Sequence, residues 1–155
     1  MNLASLLTEE LIVPDISATE RWPAIVELVE HLCATRTLSE DQRGQMLKRL
    51  QEREETTSTG IGSGVAIPHA FADDIGEVLT VFGRSKEGIE FDSIDNAPVS
   101  FIVLFIVPKD QYQLHLRTLA AIAKMFASSK VRKRLAAAES REDILSVLRS
   151  RNPRG

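Results

Sequence analysis

The chain has 155 residues, 43% hydrophobic and 26% charged, and its 19 basic and 22 acidic side chains give a formal net charge of −3. This length and composition suit one folded domain and exclude disordered and collagen-like classes, while the single cysteine, Cys33, excludes an internal disulfide. The longest apolar run, Phe101 to Val107, is far shorter than the ~20 residues of a membrane-spanning helix. We therefore expect a cytoplasmic protein without a membrane segment and without nucleic acid as its main partner.

Two helices are predicted in the first third of the chain. Residues 20–34 carry apolar side chains at helical spacing, with Pro23 tolerated near the start. A second helix begins after Ser39, which forms a capping-box pattern with Gln42, and it continues to the charged string that ends at Glu55. His31 lies within the first helix, and we expect it to be solvated. Cys33 follows it among apolar neighbours, which favours an unreactive core thiol.

The middle of the chain predicts a turn and three strands. Between residues 56 and 64 the composition changes to Thr, Ser and Gly, which interrupts regular structure. A short strand at 65–67 ends at Pro68, and a second strand is predicted at 78–83. The third, at 99–107, is nearly all apolar, as expected of a central strand covered on both faces.

Three helices are predicted after the last strand, at 111–127, at 130–138 and from Ser140 onward. The inner side of the first is assigned to Leu116, Leu119, Ala120, Ala123 and Phe126. Helices and strands interleave without strict βαβ alternation, so the predicted fold is a single α/β domain with a small mixed central sheet flanked by helices. Residues 1–150 are assigned to this domain, and residues 151–155 to a frayed tail.

Glycines at positions 60, 62 and 64 raise the question of a nucleotide site, because glycine-rich backbone can approach phosphate closely. Their GxGxG spacing differs from GxGxxG, and the segment before them is a charged helix rather than a strand. A tight turn is the better interpretation. Ser63 is not in a GxSxG elbow, and the three histidines lack the close spacing of a metal site, so neither a serine hydrolase nor a bound metal is predicted.

Histidine chemistry remains as the most informative signal. His69 directly follows Pro68, where a rigid strand end can project its ring. His115 lies in the first turns of the predicted 111–127 helix, where the positive end of the helix dipole disfavours the imidazolium form. For His115 a hydrogen-bonded core histidine is the alternative. Arg53 lies within the charged string before the loop, and a surface ion pair with Glu52, Glu54 or Glu55 is its alternative.

The segment 58–69, STGIGSGVAIPH, closely resembles the phosphorylation motif of the fructose/mannitol-type enzyme IIA (EIIA type-2) domains of the bacterial phosphotransferase system. The likeness is greatest to the stand-alone nitrogen-regulatory members. Further blocks at 94–99, 107–110 and 115–119 extend the resemblance over residues 1–148. It implies the mannitol-specific EIIA-like fold and a cytoplasmic phosphotransferase that needs no cofactor.

The resemblance also implies roles for individual residues. His69 would accept the phosphoryl group, His115 would lie beside it as a hydrogen-bonding partner, and Arg53 would stabilise the phosphate. The loop would be shaped by four further residues: Gly60, Gly62, Gly64 and Pro68. A phosphoryl group carries about −1.5 to −2 charge at neutral pH, which makes a nearby arginine physically reasonable.

The implied partner is an HPr-like or NPr-like phosphohistidine protein that donates the phosphoryl group, with a role in nitrogen regulation. Two alternatives remain open. The chain would either pass phosphate to a separate IIB sugar-transport component, or serve as a non-catalytic binding module that controls a transporter or kinase.

Two sets of charged residues each allow two interpretations. Acidic residues follow His69, and they are either a rim for a basic donor surface or a solvated face. Basic residues gather beyond residue 129, where ordinary pairing with helix dipoles is favoured over nucleic-acid binding because aromatic side chains for stacking are absent.

Overall fold

A computed structural model describes residues 3–56 and 58–149, which form a mixed sheet with helices on both faces. Two short 3-10 helices, Leu3–Leu6 and Glu9–Leu11, begin the described chain. The strands are β1 (Ile12–Val13), β2 (Gly60–Gly62), β3 (Val65–Ala66), β4 (His69–Ala72), β5 (Leu79–Ile89) and β6 (Val99–Pro108). The α-helices are α1 (Arg21–Ala34), α2 (Glu40–Thr56), α3 (Tyr112–Phe126), α4 (Ser129–Ala137) and α5 (Arg141–Arg149).

Strand β6 is the centre of the sheet. It pairs antiparallel with β5 on one side and parallel with both β3 and β4 on the other. Strand β1 adds to β5 in parallel, and β2 adds to β3 in antiparallel fashion, so the order is β1-β5-β6-β3-β2. The mixed sheet predicted from the irregular order of helices and strands is thereby confirmed.

The side chains of β6 alternate between two hydrophobic cores. Phe101, Val103 and Phe105 pack towards helices α3, α4 and α5. Ile102 and Leu104 pack on the other face towards α1 and α2. Full burial of one such side chain contributes roughly 1.5–3 kcal/mol, so this strand fixes the three-layer arrangement. The prediction of a central strand covered on both faces is confirmed.

Helix starts follow the predicted caps. The amide of Gln42 donates to the Ser39 hydroxyl at 3.2 Å, and the Gln42 side chain accepts from the Ser39 amide at 3.1 Å, which completes the capping box. At the start of α5 the amide of Asp143 donates to the Ser140 hydroxyl at 3.1 Å.

The predicted inner face of α3 is confirmed for Phe126, which is buried, and for Leu119, which packs half-buried against the core, but it is wrong for the other three residues. Its buried residues are His115, Thr118, Ile122 and Phe126. Leu116 is 43% exposed, and Ala120 and Ala123 are also exposed. The helix is rotated about its axis from the expected orientation because the His115 ring is buried at the sheet surface. A pattern of apolar residues cannot predict this rotation, because histidine is polar and is not counted among the buried positions.

Two further comparisons concern the limits of the elements. Strand β5 extends to Ile89, well beyond the predicted end at residue 83, because its far half also pairs with β6. The predicted tail at 151–155 lies outside the described residues. Among the described residues, no helix combines the length and apolar character needed to cross a membrane.

Candidate functional site

His69 is the first residue of β4, directly opposite Phe105 of β6. Its ring stacks on the Phe105 ring, with centroids 5.1 Å apart, and the residue is only 9% exposed. The sequence predicted His69 at the exit of a short strand, and β3 ends before it. The chain then leaves the strand at Ile67 and Pro68, the Pro68 carbonyl accepts from the Phe105 amide at 3.1 Å, and strand pairing with β6 begins again at His69.

One nitrogen of the His69 ring is committed to the backbone. Nδ1 lies 2.8 Å from the carbonyl oxygen of Ile67, and because a carbonyl can only accept, Nδ1 carries the proton in the neutral ring. Burial lowers the pKa of His69 to about 4, the hydrogen bond to the Ile67 carbonyl opposes this shift, and His115 and Arg53 contribute smaller shifts in the lowering direction. His69 is therefore neutral at physiological pH, with an unprotonated Nε2.

His115 lies beside His69 in the second turn of α3. The two ring centroids are 4.9 Å apart, and the Phe71 ring lies 4.7 Å from His115 on another side. Burial, with a contribution from Arg53, lowers the pKa of His115. Its Nδ1 is buried and has no hydrogen-bond partner among residues 3–56 and 58–149. His115 is therefore buried, but its Nδ1 is not hydrogen-bonded to any described residue, as the alternative of a core histidine would require.

Arg53 approaches the two histidines from the last turn of α2. Its positive charge lowers the pKa of both His69 and His115, which places its side chain within electrostatic range of both rings. His69 and His115, 46 positions apart in sequence, are therefore in ring contact, and Arg53 from a third element acts on both electrostatically. The half-buried Arg53 therefore lies on the same side of the fold as a neutral imidazole ring.

Glu54 is a buried carboxylate that the sequence interpretation missed. It is 5% exposed, and its carboxylate accepts hydrogen bonds from the amide and the hydroxyl of Thr59. Burial raises the pKa of Glu54, and the bonds from Thr59 oppose that rise. Arg21 lies 3.8 Å away on the same carboxylate. Met46 and Leu50 precede Glu54 at intervals of four on the buried face of α2, and this phase was the available signal.

Glu54 is connected to His69 through the backbone. The Thr59 carbonyl accepts from the Ile67 amide at 3.0 Å, and the Ile67 carbonyl accepts from His69 Nδ1. The end of α2, the segment after it and the histidine ring are thus joined by consecutive hydrogen bonds. This path fixes which ring nitrogen faces the open side of the site.

The three glycines lie in the β2–β3 hairpin, whose tip has the predicted tight turn. Ser63 and Gly64 have φ values of 58° and 77°, as a two-residue type I′ turn requires. Gly62 precedes them, and at Gly60 an added Cβ would lie 2.3 Å from the Ser93 hydroxyl. The β3 strand of the hairpin pairs with β6 at Phe101. This position lies roughly 13 Å along β6 from Phe105, the residue opposite His69. The base of the hairpin is linked to the His69 ring through the hydrogen bonds of Thr59 and Ile67.

Several charged residues near the loop have structural partners. Asp73 pairs with Arg49 at 3.4 Å and with Lys109 at 3.7 Å. The Asp95 carboxylate accepts from the amides of Ser63 at 3.0 Å and Ala97 at 3.1 Å, and so holds the hairpin tip. These two acidic residues therefore contribute to local folding, and neither is simply a solvated charge.

The remaining candidates lie elsewhere. His31 was predicted to be solvated, but its Nε2 lies 2.6 Å from the carbonyl oxygen of Glu10. Cys33 is half-buried, and burial raises the pKa of its thiol, which suits an unreactive cysteine. Within the part of the chain that the structure describes, no three His, Cys, Asp or Glu side chains converge on a possible metal position.

Comparison with known proteins gives consistent matches. The family model described as "Phosphoenolpyruvate-dependent sugar phosphotransferase system, EIIA 2" matches residues 5–151. The chain is 33% identical over 149 residues to the "Nitrogen regulatory protein" of Escherichia coli (strain K12), covering 96% of this chain and 90% of that protein. It is 30% identical over 148 residues to the "PTS system fructose-specific EIIABC component" of Bacillus subtilis, covering 96% of this chain but 23% of that longer protein.

A solved structure has the same arrangement of elements. The crystal structure of "Nitrogen Regulatory Protein IIA-Ntr" from Neisseria meningitidis superposes with a TM-score of 0.85 at 29% sequence identity. The match covers 94% of this chain and 98% of that one. The predicted fold class is confirmed by this likeness.

Proposed function

The chain belongs to the EIIA type-2 family of the phosphoenolpyruvate-dependent sugar phosphotransferase system, and from this premise we propose that it is a phosphocarrier that accepts a phosphoryl group on Nε2 of His69. The observation that carries the proposal is the buried, neutral His69 ring, whose Nδ1–H is held by the Ile67 carbonyl. We assign the protein a nitrogen-regulatory role, because relatives with that printed name match nearly the full length of both chains.

The proposed transfer is an in-line displacement from a phosphohistidine of an HPr-like or NPr-like donor protein. The lone pair of His69 Nε2 forms the new N–P bond as the N–P bond of the donor breaks, and the bonding electrons of that bond return to the donor nitrogen. No proton leaves Nε2, because a neutral ring with Nδ1 protonated has its lone pair there. After transfer, the Ile67 carbonyl still accepts from Nδ1 and supports the positive charge that the ring acquires.

Arg53 and His115 supply the surroundings that the phosphoryl group requires. At ~4 Å and an effective dielectric constant near 20, one arginine and one negative charge attract by about 4 kcal/mol before desolvation costs. The guanidinium fork of Arg53 suits two phosphoryl oxygens. The His115 Nδ1, buried without a partner among the described residues, is available as a further hydrogen-bonding group for such an oxygen.

Phosphorylation by the donor system tests this proposal. Radiolabelled phosphoenolpyruvate, enzyme I and an HPr-like donor should place acid-labile label on the wild type and none on His69→Ala. His31→Ala is the matched control, because His31 lies in α1 and contacts the Glu10 carbonyl instead of the site. Label that persists on His69→Ala, or that disappears with His31→Ala, would show that the assigned acceptor is wrong.

The fructose-specific relative supports a second candidate, namely transfer from this chain to a separate IIB component. Labelled protein mixed with a fructose-type IIB component should keep its label if the role is regulatory. Rapid loss of label to IIB, at a rate similar to loss to the unphosphorylated donor, would instead favour a role in sugar transport.

A further inference from the structure

A cationic groove lies between helix α4 and the far ends of strands β5 and β6. We call it the α4 groove, and it has a volume of about 480 Å³. It is lined by Arg84, Ser85, Lys86, Ser100, Phe101, Ser129, Arg132, Lys133 and Ala136. Arg84 pairs with Phe101 in the sheet, whereas His69 pairs with Phe105, so the groove lies roughly 13 Å along β6 from the histidine.

Charge in the α4 groove is of one sign. Four lining residues are cationic and three carry hydroxyl groups, whereas no described lining residue has a carboxylate. This contrasts with the net charge of −3 for the whole chain. Asp15 pairs with Lys86 at 3.4 Å, but both side chains are largely exposed, so this contact neutralises little of the groove.

Arg84 adds a buried positive charge beneath the groove. It is 2% exposed, and its guanidinium donates to the carbonyl oxygens of Pro14 at 3.0 Å, Leu135 at 2.9 Å and Ala138 at 2.5 Å. Within residues 3–56 and 58–149 it makes no ion pair with a carboxylate. Three carbonyl dipoles therefore hold this charge in place, and no carboxylate of the described residues pairs with it.

Helix α4 presents one face to the groove. Ser129, Arg132 and Lys133 follow at intervals of three and four residues, which places them on the same side of the helix. Ser129 is the first residue of α4, at the positive end of the helix dipole. On the opposite wall, the Ser85 hydroxyl accepts from the Gly88 amide at 3.0 Å, which leaves its own hydrogen available to donate.

We propose that the α4 groove binds a small ligand that carries phosphate groups, such as a pyrophosphate-containing or nucleotide-sized molecule. Phosphate needs several hydrogen-bond donors and concentrated positive charge. The groove offers both: among the described residues, none of those lining it is a carboxylate, and Asp15 contacts only the exposed Lys86 at its edge. Its volume lies in the ordinary range of small-molecule sites, roughly 300–1,000 Å³, which is too small for a nucleic-acid duplex. The proposal is independent of phosphoryl transfer at His69.

Inorganic pyrophosphate is a suitable probe, with affinity measured by calorimetry and position by backbone amide shifts. Wild type should bind one equivalent and shift the amides of Ser129 to Ala136. Lys133→Gln and Lys86→Gln should each weaken binding by roughly two- to fivefold, as loss of one partly exposed charge contact implies. Lys130→Gln is the matched control, because Lys130 is exposed on the same helix but does not line the groove.

Binding at the phosphoryl site is distinguished by Arg53→Ala, which should leave the affinity for pyrophosphate unchanged. The proposal is overturned if pyrophosphate fails to bind at concentrations up to about 10 mM, or if Arg53→Ala abolishes binding. It is equally overturned if Lys130→Gln weakens binding as much as Lys133→Gln, since a diffuse attraction for any polyanion would then explain the data. Tighter, non-saturating binding of duplex DNA would favour that diffuse attraction.

Discussion

Lowering the pH should reduce the free energy of unfolding of the wild type more than that of a His69→Gln variant, because only the wild type has the buried His69 ring. The pKa of His69 is about 4 in the folded protein, against 6.5 for an unperturbed histidine. As the pH falls below 6.5, His69 binds a proton in the unfolded chain but not in the folded chain. The free energy of unfolding therefore decreases progressively between pH 6.5 and pH 4. Between about pH 7 and about pH 4.5 this linkage amounts to about 2 kcal/mol.

The assay is urea unfolding of wild type and His69→Gln at several pH values. Wild type should lose about 2 kcal/mol more than the variant between the two pH values, because the other titrating groups are common to both proteins. The ring proton shifts of His69 provide an independent measure of its pKa. Equal pH dependence of the two proteins, together with a measured pKa near that of free histidine, would refute the claim that burial keeps this ring neutral.

Two further predictions concern the segment that supports the site. Gly60→Ala places a Cβ 2.3 Å from a serine hydroxyl and should lower the free energy of unfolding by about 1–3 kcal/mol, whereas Gly44→Ala, with nothing within 4 Å in α2, should raise it by up to about 1 kcal/mol. Denaturant unfolding measures both. Glu54→Ala removes the acceptor of the Thr59 amide and hydroxyl, and should cost about 2 kcal/mol and accelerate hydrogen exchange at Thr59. Glu52→Ala, on the exposed side of α2, should change neither quantity.

Each of these predictions has a contrary outcome. Equal stability of Gly60→Ala and Gly44→Ala would mean that the hairpin base does not pack as described. Unchanged exchange at Thr59 in Glu54→Ala would show that the buried carboxylate does not hold the segment between α2 and His69.

The helices could be predicted from sequence because their signals are local. The capping box of Ser39 and Gln42 and the cap at Ser140 placed two helix starts correctly, since each depends on residues within one turn. The phase of α3 could not be predicted in the same way. His115 sits at a buried position for reasons that involve His69 and Phe71, which are distant in sequence.

Strand β4 shows a second limit of local patterns. Its four residues, His69–Ala72, form a strand because β6 offers an unpaired edge beyond the end of β3. Nothing in a histidine, two alanines and a phenylalanine indicates this pairing by propensity alone. The proximity of Arg53, His69 and His115 likewise followed from resemblance to a family, because residue spacing cannot show that three elements converge.

The attachment of His69 to β6 has a consequence for local unfolding. Strand β6 is bonded on both sides and buried on both faces, so its amides should open only with the whole domain, whereas the hairpin tip and the loop holding Asp95 should open at lower free energy. The His69 ring therefore belongs to the most persistent unit of the fold. Conformational adjustment around this ring must come from exposed side chains such as Tyr112, which is 60% exposed and whose ring centroid lies 6.0 Å from that of His115.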